Sequence, residues 1–143
     1  MLEAYLWDFC QIQYNYMNEN YQAGRVGLQK ANKMGLPVII MEPLLGGKLA
    51  NGLPKKAEKL FAGADSSSTP ASWAFRWLWN QPEVTVVLSG MNSMEQLDDN
   101  IKTAENAEPN MLTARETGIF SEVTAVFQEA YKVPCTGCNY CMP

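Results

Sequence analysis

The sequence predicts an α/β fold of parallel strands joined by helical crossovers. Three short segments, 7–16, 38–41 and 84–88, are rich in aromatic, apolar and β-branched residues. Helical signals follow each of them, and alternation of strand and helix implies parallel pairing with right-handed connections. The middle segment, Val38-Ile39-Ile40-Met41, is wholly apolar, as in a parallel strand buried on both faces.

In chain order, residues 7–16 place Phe9, Gln11, Gln13 and Asn15 on one face of the first strand, and Cys10, Ile12, Tyr14 and Tyr16 on the other. Amides and aromatics on the faces of one strand suggest that one side looks into a polar site. Residues 22–34 read as a helix with Val26, Ala31 and Met34 among its apolar positions, stopped by Gly35. After the second strand, Glu42 to Lys48 form a loop, 55–62 a short helix, and Asp65 to Ser68 a polar loop. Lys55, Lys56 and Lys59 make the solvated face of that short helix.

Thr69-Pro70 has the pattern of an N-cap followed by proline at the first helical position. It opens an apolar helix over 70–80 that carries Trp73, Phe75, Trp77, Leu78 and Trp79. Core packing is the first expectation for these aromatics, and a ligand cage the second. Val84 to Leu88 form the third strand, and Ser89 to Asn92 a loop at its end. Ser93 with Gln96, and Thr113 with Glu116, have capping-box spacing; they open helices to about 104 and about 131.

Composition excludes whole classes of function. The chain has 143 residues, enough for one domain or a piece of a larger one. At 47% hydrophobic and 18% charged it is neither a disordered chain nor a multi-span membrane protein. It has no histidine, which removes mechanisms that need an imidazole base, nucleophile or metal ligand. A net charge of -4 and scattered basic residues argue against a nucleic-acid partner. The N-terminus has no basic region or cleavage motif of a signal peptide, and no apolar run approaches the roughly 20 residues that span a bilayer. A cytoplasmic location is expected.

Two constellations carry chemistry. The first is Cys135-Thr136-Gly137-Cys138-Asn139-Tyr140-Cys141. Thiols at C-x2-C-x2-C spacing can each hold a corner of an iron–sulfur cube. Gly137 lets the backbone wrap tightly round such a group. The bacterial ferredoxin run continues with a fourth cysteine followed by proline, which the sequence does not reach. Structural zinc, with its usual two separated ligand pairs, and an inert or redox thiol tail are the alternatives. Cys10 reads as a small buried apolar residue.

The second is a set of three strand ends: Gln11 on the first strand, Met41 to Leu44 after the second, and Ser89 to Asn100 after the third. In a parallel α/β structure these ends share one side of the sheet, where ligands bind. The third loop enters a helix N-terminus, whose free N–H groups and dipole favour a phosphate; a simply well-capped crossover is the alternative.

At these residues the chain resembles the aldo/keto reductase family. Gln-Ile-Gln-Tyr-Asn, 11–15, resembles its sixth barrel strand. Residues 38–49, Val-Ile-Ile-Met-Glu-Pro-Leu-Leu-Gly-Gly-Lys-Leu, resemble the seventh strand and its loop. Residues 86–100, Val-Val-Leu-Ser-Gly-Met-Asn-Ser-Met-Glu-Gln-Leu-Asp-Asp-Asn, resemble the eighth strand and helix. The cysteine run resembles the branch with a C-terminal ferredoxin-like extension.

The resemblance implies a partial (β/α) barrel of TIM type, its last three β/α units, over 1–108. A connecting helix and the start of a 4Fe-4S extension would occupy 109–143. It implies a nicotinamide cofactor, NAD(P)H, and a small carbonyl substrate. Gln11 matches the glutamine that holds the carboxamide, and Met41 stands where an aromatic usually stacks on the nicotinamide ring. Pro43 and Leu44 match the loop along the pyrophosphate. Gly90, Asn92 and Gln96 match the turn around the adenosine phosphate, and Asp99 and Asn100 the pair that reads the adenine amine. Cys135, Cys138 and Cys141 match cluster ligands.

Two departures stand out. Residues 89–100 contain no Lys or Arg to clamp a 2′-phosphate, which leaves NADH open. The family's catalytic Asp, Tyr, Lys and His lie on earlier strands and have no match here. The chain alone is therefore expected to be inactive and, with two open sheet edges, to self-associate. A non-catalytic electron-transfer or binding module that works through the cysteine tail is the alternative function.

Overall fold

The computed structural model describes residues 2–131. A single 3-10 turn, Leu2–Ala4, precedes strand β1, Cys10–Gln13. Helix α1, Gly24–Lys33, leads to β2, Val38–Met41. Three helices follow: α2, Lys48–Asn51; α3, Lys55–Ala64; and α4, Pro70–Trp79. Strand β3, Val86–Val87, and helices α5, Met94–Glu105, and α6, Ala114–Ala130, complete the described chain. Among the described residues no helix is long and apolar enough to cross a membrane.

The three strands form one parallel sheet in the order β1-β2-β3. Gln11 lies opposite Ile39, Gln13 opposite Met41, and Ile39 opposite Val86. The third strand is shorter than its sequence suggests. Its pairing nevertheless reaches beyond the two strand residues, because Thr85 N–H donates to Val38 O at 3.0 Å and Leu88 N–H to Ile40 O at 2.9 Å.

The helix-facing side of the sheet is the core side. Val38 and Ile40 are fully buried there, with Cys10 and Ile12 half-buried in register with them. The other side departs from the expectation of a strand buried on both faces. Ile39 is only half-buried, and Met41, Val86 and Leu88 are exposed. Among the described residues no layer covers that side.

Several local expectations change for physical reasons. Val26 is 78% exposed rather than part of the apolar stripe. The buried positions of α1 are Gly24, Leu28 and Ala31, spaced by four and three, and Val26 falls on the opposite side of the helix. Met34 sits at the C-cap and is exposed. Gly24 has to be glycine: its φ is +51°, and a Cβ there would meet Glu19 O at 2.7 Å. Cys10 is half-buried rather than buried, and this partial burial pushes its thiol up. Helix α2 replaces the end of the expected loop, because Leu49 turns inward and is fully buried.

The aromatic helix α4 is core, as its sequence leads one to expect. Trp73, Phe75, Trp77 and Leu78 are buried, and Trp79 is half-buried. Phe61 of α3 stacks on Trp73 with centroids 5.2 Å apart. Phe120 of α6 meets Phe61 at 5.7 Å, Trp73 at 5.8 Å and Tyr16 at 5.3 Å. Burial of these rings joins α3, α4 and α6 to the segment that leaves β1. Where α6 starts, Arg76 donates to Glu116 at 2.6 Å and lies 4.6 Å over the Trp73 ring.

Candidate functional site

Parallel register brings the three strand ends to one edge of the sheet. On its uncovered face, Gln11 Nε2 donates to Met41 Sδ at 3.2 Å. Both side chains are exposed. An amide beside a thioether gives a donor and an acceptor next to a polarizable apolar surface.

The loop after β2 is shaped by backbone of the left-handed kind. Glu42, Leu45, Gly46 and Gly47 have φ of 54°, 50°, 63° and 85°. Glu42 carries much of its closure. Its carboxylate accepts from Gly46 N–H at 2.7 Å, and its carbonyl accepts from Leu45 N–H at 3.2 Å. The same carbonyl accepts from Asn15 Nδ2 at 2.9 Å. Asn15 is fully buried, and its Oδ1 accepts from the N–H groups of Met17 at 3.2 Å and Asn18 at 3.0 Å. Pro43 is buried and Leu44 half-buried within this loop. The Glu42 carboxylate thus occupies one backbone N–H of the loop.

After β3 the chain enters α5 through a cap close to the expected one. Ser93 Oγ accepts from Gln96 N–H at 3.3 Å. The Gln96 side chain reaches one residue further back than a capping box, and accepts from Asn92 N–H at 2.9 Å. Asn100 Nδ2 donates to Ser89 Oγ at 3.1 Å and to Met91 Sδ at 3.2 Å. Gln96 and Asn100, four apart, share one face of α5 and close the Ser89–Asn92 loop onto it. Gly90 is exposed, with open space where a Cβ would stand.

Asp99 is directed elsewhere. Its carboxylate accepts from Thr69 Oγ1 at 2.7 Å, at the N-cap of α4. Gly90, Asn92, Gln96 and Asn100 thus form one cluster, while Asp99 joins α5 to α4. Sequence reasoning missed Asn15, Glu42 and Thr69 as holders of these loops. The signal for Thr69 was its cap pattern; Asn15 and Glu42 gave none beyond their place at strand ends.

Cys135, Cys138 and Cys141 lie outside the described residues. Among the described residues, no group of three or more His, Cys, Asp or Glu is placed to hold a metal ion. A cavity of about 640 Å³ opens between residues 16–21 and α6, and none of the expected cofactor residues lines it.

A sequence model described as the aldo/keto reductase family matches residues 3–110. No curated protein matches the chain in sequence. Among solved structures, aldo-keto reductase AKR11C1 from Bacillus halodurans in its apo form is similar with a TM-score of 0.63 at 17% identity. The match covers 85% of this chain and 45% of that one. The holo form of the same protein is similar with a TM-score of 0.56 at 18% identity, covering 79% of this chain and 41% of that one. The chain spans less than half the length of these structures. At such identities the likeness is one of fold, and the parallel sheet with its helices is part of a TIM-type (β/α) barrel.

Proposed function

The chain belongs to the aldo/keto reductase family, and from that membership we propose that it is the cofactor-holding part of a nicotinamide-dependent oxidoreductase that reduces a small carbonyl compound. The observation that carries this reading is the Gln11–Met41 pair on the uncovered sheet face, beside two strand-end loops. Gln11 would hold the carboxamide and Met41 would pack on the ring. Pro43 and Leu44 would line the pyrophosphate. Gly90, Asn92 and Gln96 would surround the adenosine phosphate, with Asp99 and Asn100 toward the adenine. The bound nicotinamide would supply the hydride.

The fit is better for NADH than for NADPH. The Ser89–Asn100 stretch offers no cation for a 2′-phosphate, and its exposed Glu95 and Asp98 would repel one. The family's proton-donating set has no counterpart among these residues, so the 143-residue chain binds the cofactor without turning over a carbonyl. In the cysteine run, Cys135, Cys138 and Cys141 would hold three corners of a 4Fe-4S cluster. The protein would work in the cytoplasm. Taken alone, the chain would pair with a second copy through its uncharged face of Phe9, Met41, Val86 and Leu88.

Titration of the chain with NADH and NADPH, followed by tryptophan fluorescence, tests the reading. Saturable binding is expected, tighter for NADH. Gln11→Leu should weaken it about tenfold, the loss of roughly 1.4 kcal/mol of hydrogen bonding. No saturable binding of either nucleotide up to millimolar concentration would reject the proposal.

A further inference from the structure

We propose that Asn15 is the positioning residue of the Gln11–Met41 pair, acting through the backbone that leaves β2. This rests on the cofactor reading above for what the pair holds, but the bonds themselves are independent of it.

Successive carbonyls of a strand point alternately to its two neighbours. Along β2, the Val38 and Ile40 carbonyls accept from Thr85 and Leu88 on the β3 side. The Met41 carbonyl accepts from Tyr14 N–H at 3.2 Å on the β1 side. A strand that continued would turn the Glu42 carbonyl to β3. At Glu42 the backbone is left-handed instead, with a φ of 54°, and Asn15 Nδ2 meets its carbonyl from the β1 side at 2.9 Å. A side-chain amide thus adds one rung to the β1–β2 ladder, where β2 turns out of the sheet.

The chemistry of the carboxamide suits this place. Nδ2 donates across to Glu42 O while Oδ1 accepts from the N–H groups of Met17 and Asn18. One side chain therefore fixes the exit of β1 and the exit of β2 relative to each other. Asn15 is fully buried, so no solvent competes for these bonds.

Met41 stands between two rungs. Its own carbonyl is held by Tyr14 and the next one by Asn15, while its Sδ accepts from Gln11 Nε2 at 3.2 Å. Without Asn15, Glu42 O still accepts from Leu45 N–H. The loop then keeps this internal closure and loses its side-chain tie to β1. The effect falls on how Met41 faces Gln11.

Two measurements test this. The first is NADH affinity in a double-substitution cycle. Asn15→Ala should weaken NADH binding about fivefold in the otherwise unaltered chain, but less than about twofold once Gln11→Leu has removed the pair. No weakening, or equal weakening in both backgrounds, overturns the proposal, because a merely structural role would not depend on Gln11. The second measurement needs no nucleotide. The ε-methyl NMR signal of Met41, identified by its loss in Met41→Leu, should move in Asn15→Ala while that of Met111 stays in place. An unmoved Met41 signal, or equal displacement of both signals, overturns the proposal. If Asn15→Ala does not fold, Asn15→Asp at about pH 8, a carboxylate without the donor, takes its place in both measurements. Absence of NADH binding by the unaltered chain would instead strike the cofactor reading and leave the Met41 signal to decide this one.

Discussion

Thr69 Oγ1 donates to the Asp99 carboxylate at 2.7 Å while accepting from Ser72 N–H at 3.0 Å, so one hydroxyl caps α4 and ties it to α5. Its neighbour in space extends the link, since Thr103 Oγ1 lies 3.0 Å from Ser72 Oγ and donates to Asp99 O at 2.8 Å. Thr69→Ala removes both the cap and the tie and should cost about 1–2 kcal/mol in urea unfolding. Thr69→Ser keeps both bonds and should fall within about 0.5 kcal/mol of the parent. Equal destabilisation by the two substitutions would show that the methyl group, not the hydroxyl, matters.

Tyr16 illustrates the opposite situation. Its ring packs against Phe61, Trp77 and Phe120, yet its buried hydroxyl has no hydrogen-bond partner. Burial pushes its ionisation far above the usual phenol range. A buried, unsatisfied hydroxyl costs about 1–3 kcal/mol, and Tyr16→Phe removes it without changing the ring packing. The substitution should leave stability unchanged or raise it by about 1 kcal/mol. A loss of more than about 1 kcal/mol would mean that a buried water satisfies the hydroxyl.

Acid should destabilise the chain through two carboxylates. Hydrogen bonds from the Ser67 hydroxyl, the Ser68 hydroxyl and the Ser67 backbone lower Asp65 to about 2. Burial alone would raise Glu116, but hydrogen bonds from the Thr113 backbone and hydroxyl and from Arg76 outweigh it, and the net shift is downward. A carboxylate whose folded pKa lies below its unfolded value contributes stability above the unfolded pKa and loses it as pH falls through the folded one. The Asp65 contribution is therefore present above about pH 4 and disappears toward about pH 2. Asp65→Asn and Glu116→Gln should each flatten the acid limb of a stability-against-pH curve below about pH 4.5. An unchanged slope in both variants would show that other groups set it.

The sequence exposed most of the fold because its signals were local. Thr69-Pro70 and Thr113 with Glu116 mark caps that the structure forms, and the apolar run at 38–41 coincides with β2. Less was legible wherever burial depends on what packs against a surface. Val26 is apolar but faces outward, and only the second layer around a strand decides whether Ile39 and Met41 are covered. Of the candidate site, Gln11 and Met41 could be picked as residues, but their bond depends on the register of β1 against β2. The diversion of Asp99 to Thr69 depends on how α4 and α5 pack, which no spacing encodes.

Asn15 offers the strictest test of how the site loop is held. It is fully buried, and all three bonds of its side chain run to backbone: to Glu42 O across the sheet, and from the N–H groups of Met17 and Asn18 along its own chain. Asn15→Ala removes these three bonds, though Glu42 O keeps Leu45 N–H and Asn18 N–H keeps the Asn15 carbonyl, and should cost about 1–3 kcal/mol. Asn15→Asp keeps the acceptor for Met17 and Asn18 but puts a carboxylate against Glu42 O, and should be destabilising at neutral pH and less so in mild acid, where the carboxyl can protonate and donate. That pH dependence separates the bond to Glu42 from simple loss of packing. Because Glu42 has a φ of 54° and its carboxylate holds Gly46 N–H, taking the Asn15 donor from its carbonyl should also loosen the loop. Amide hydrogen exchange at Leu45 and Gly46 should accelerate in both variants while that of β2 changes less. Uniform acceleration across the chain would assign Asn15 to global stability alone.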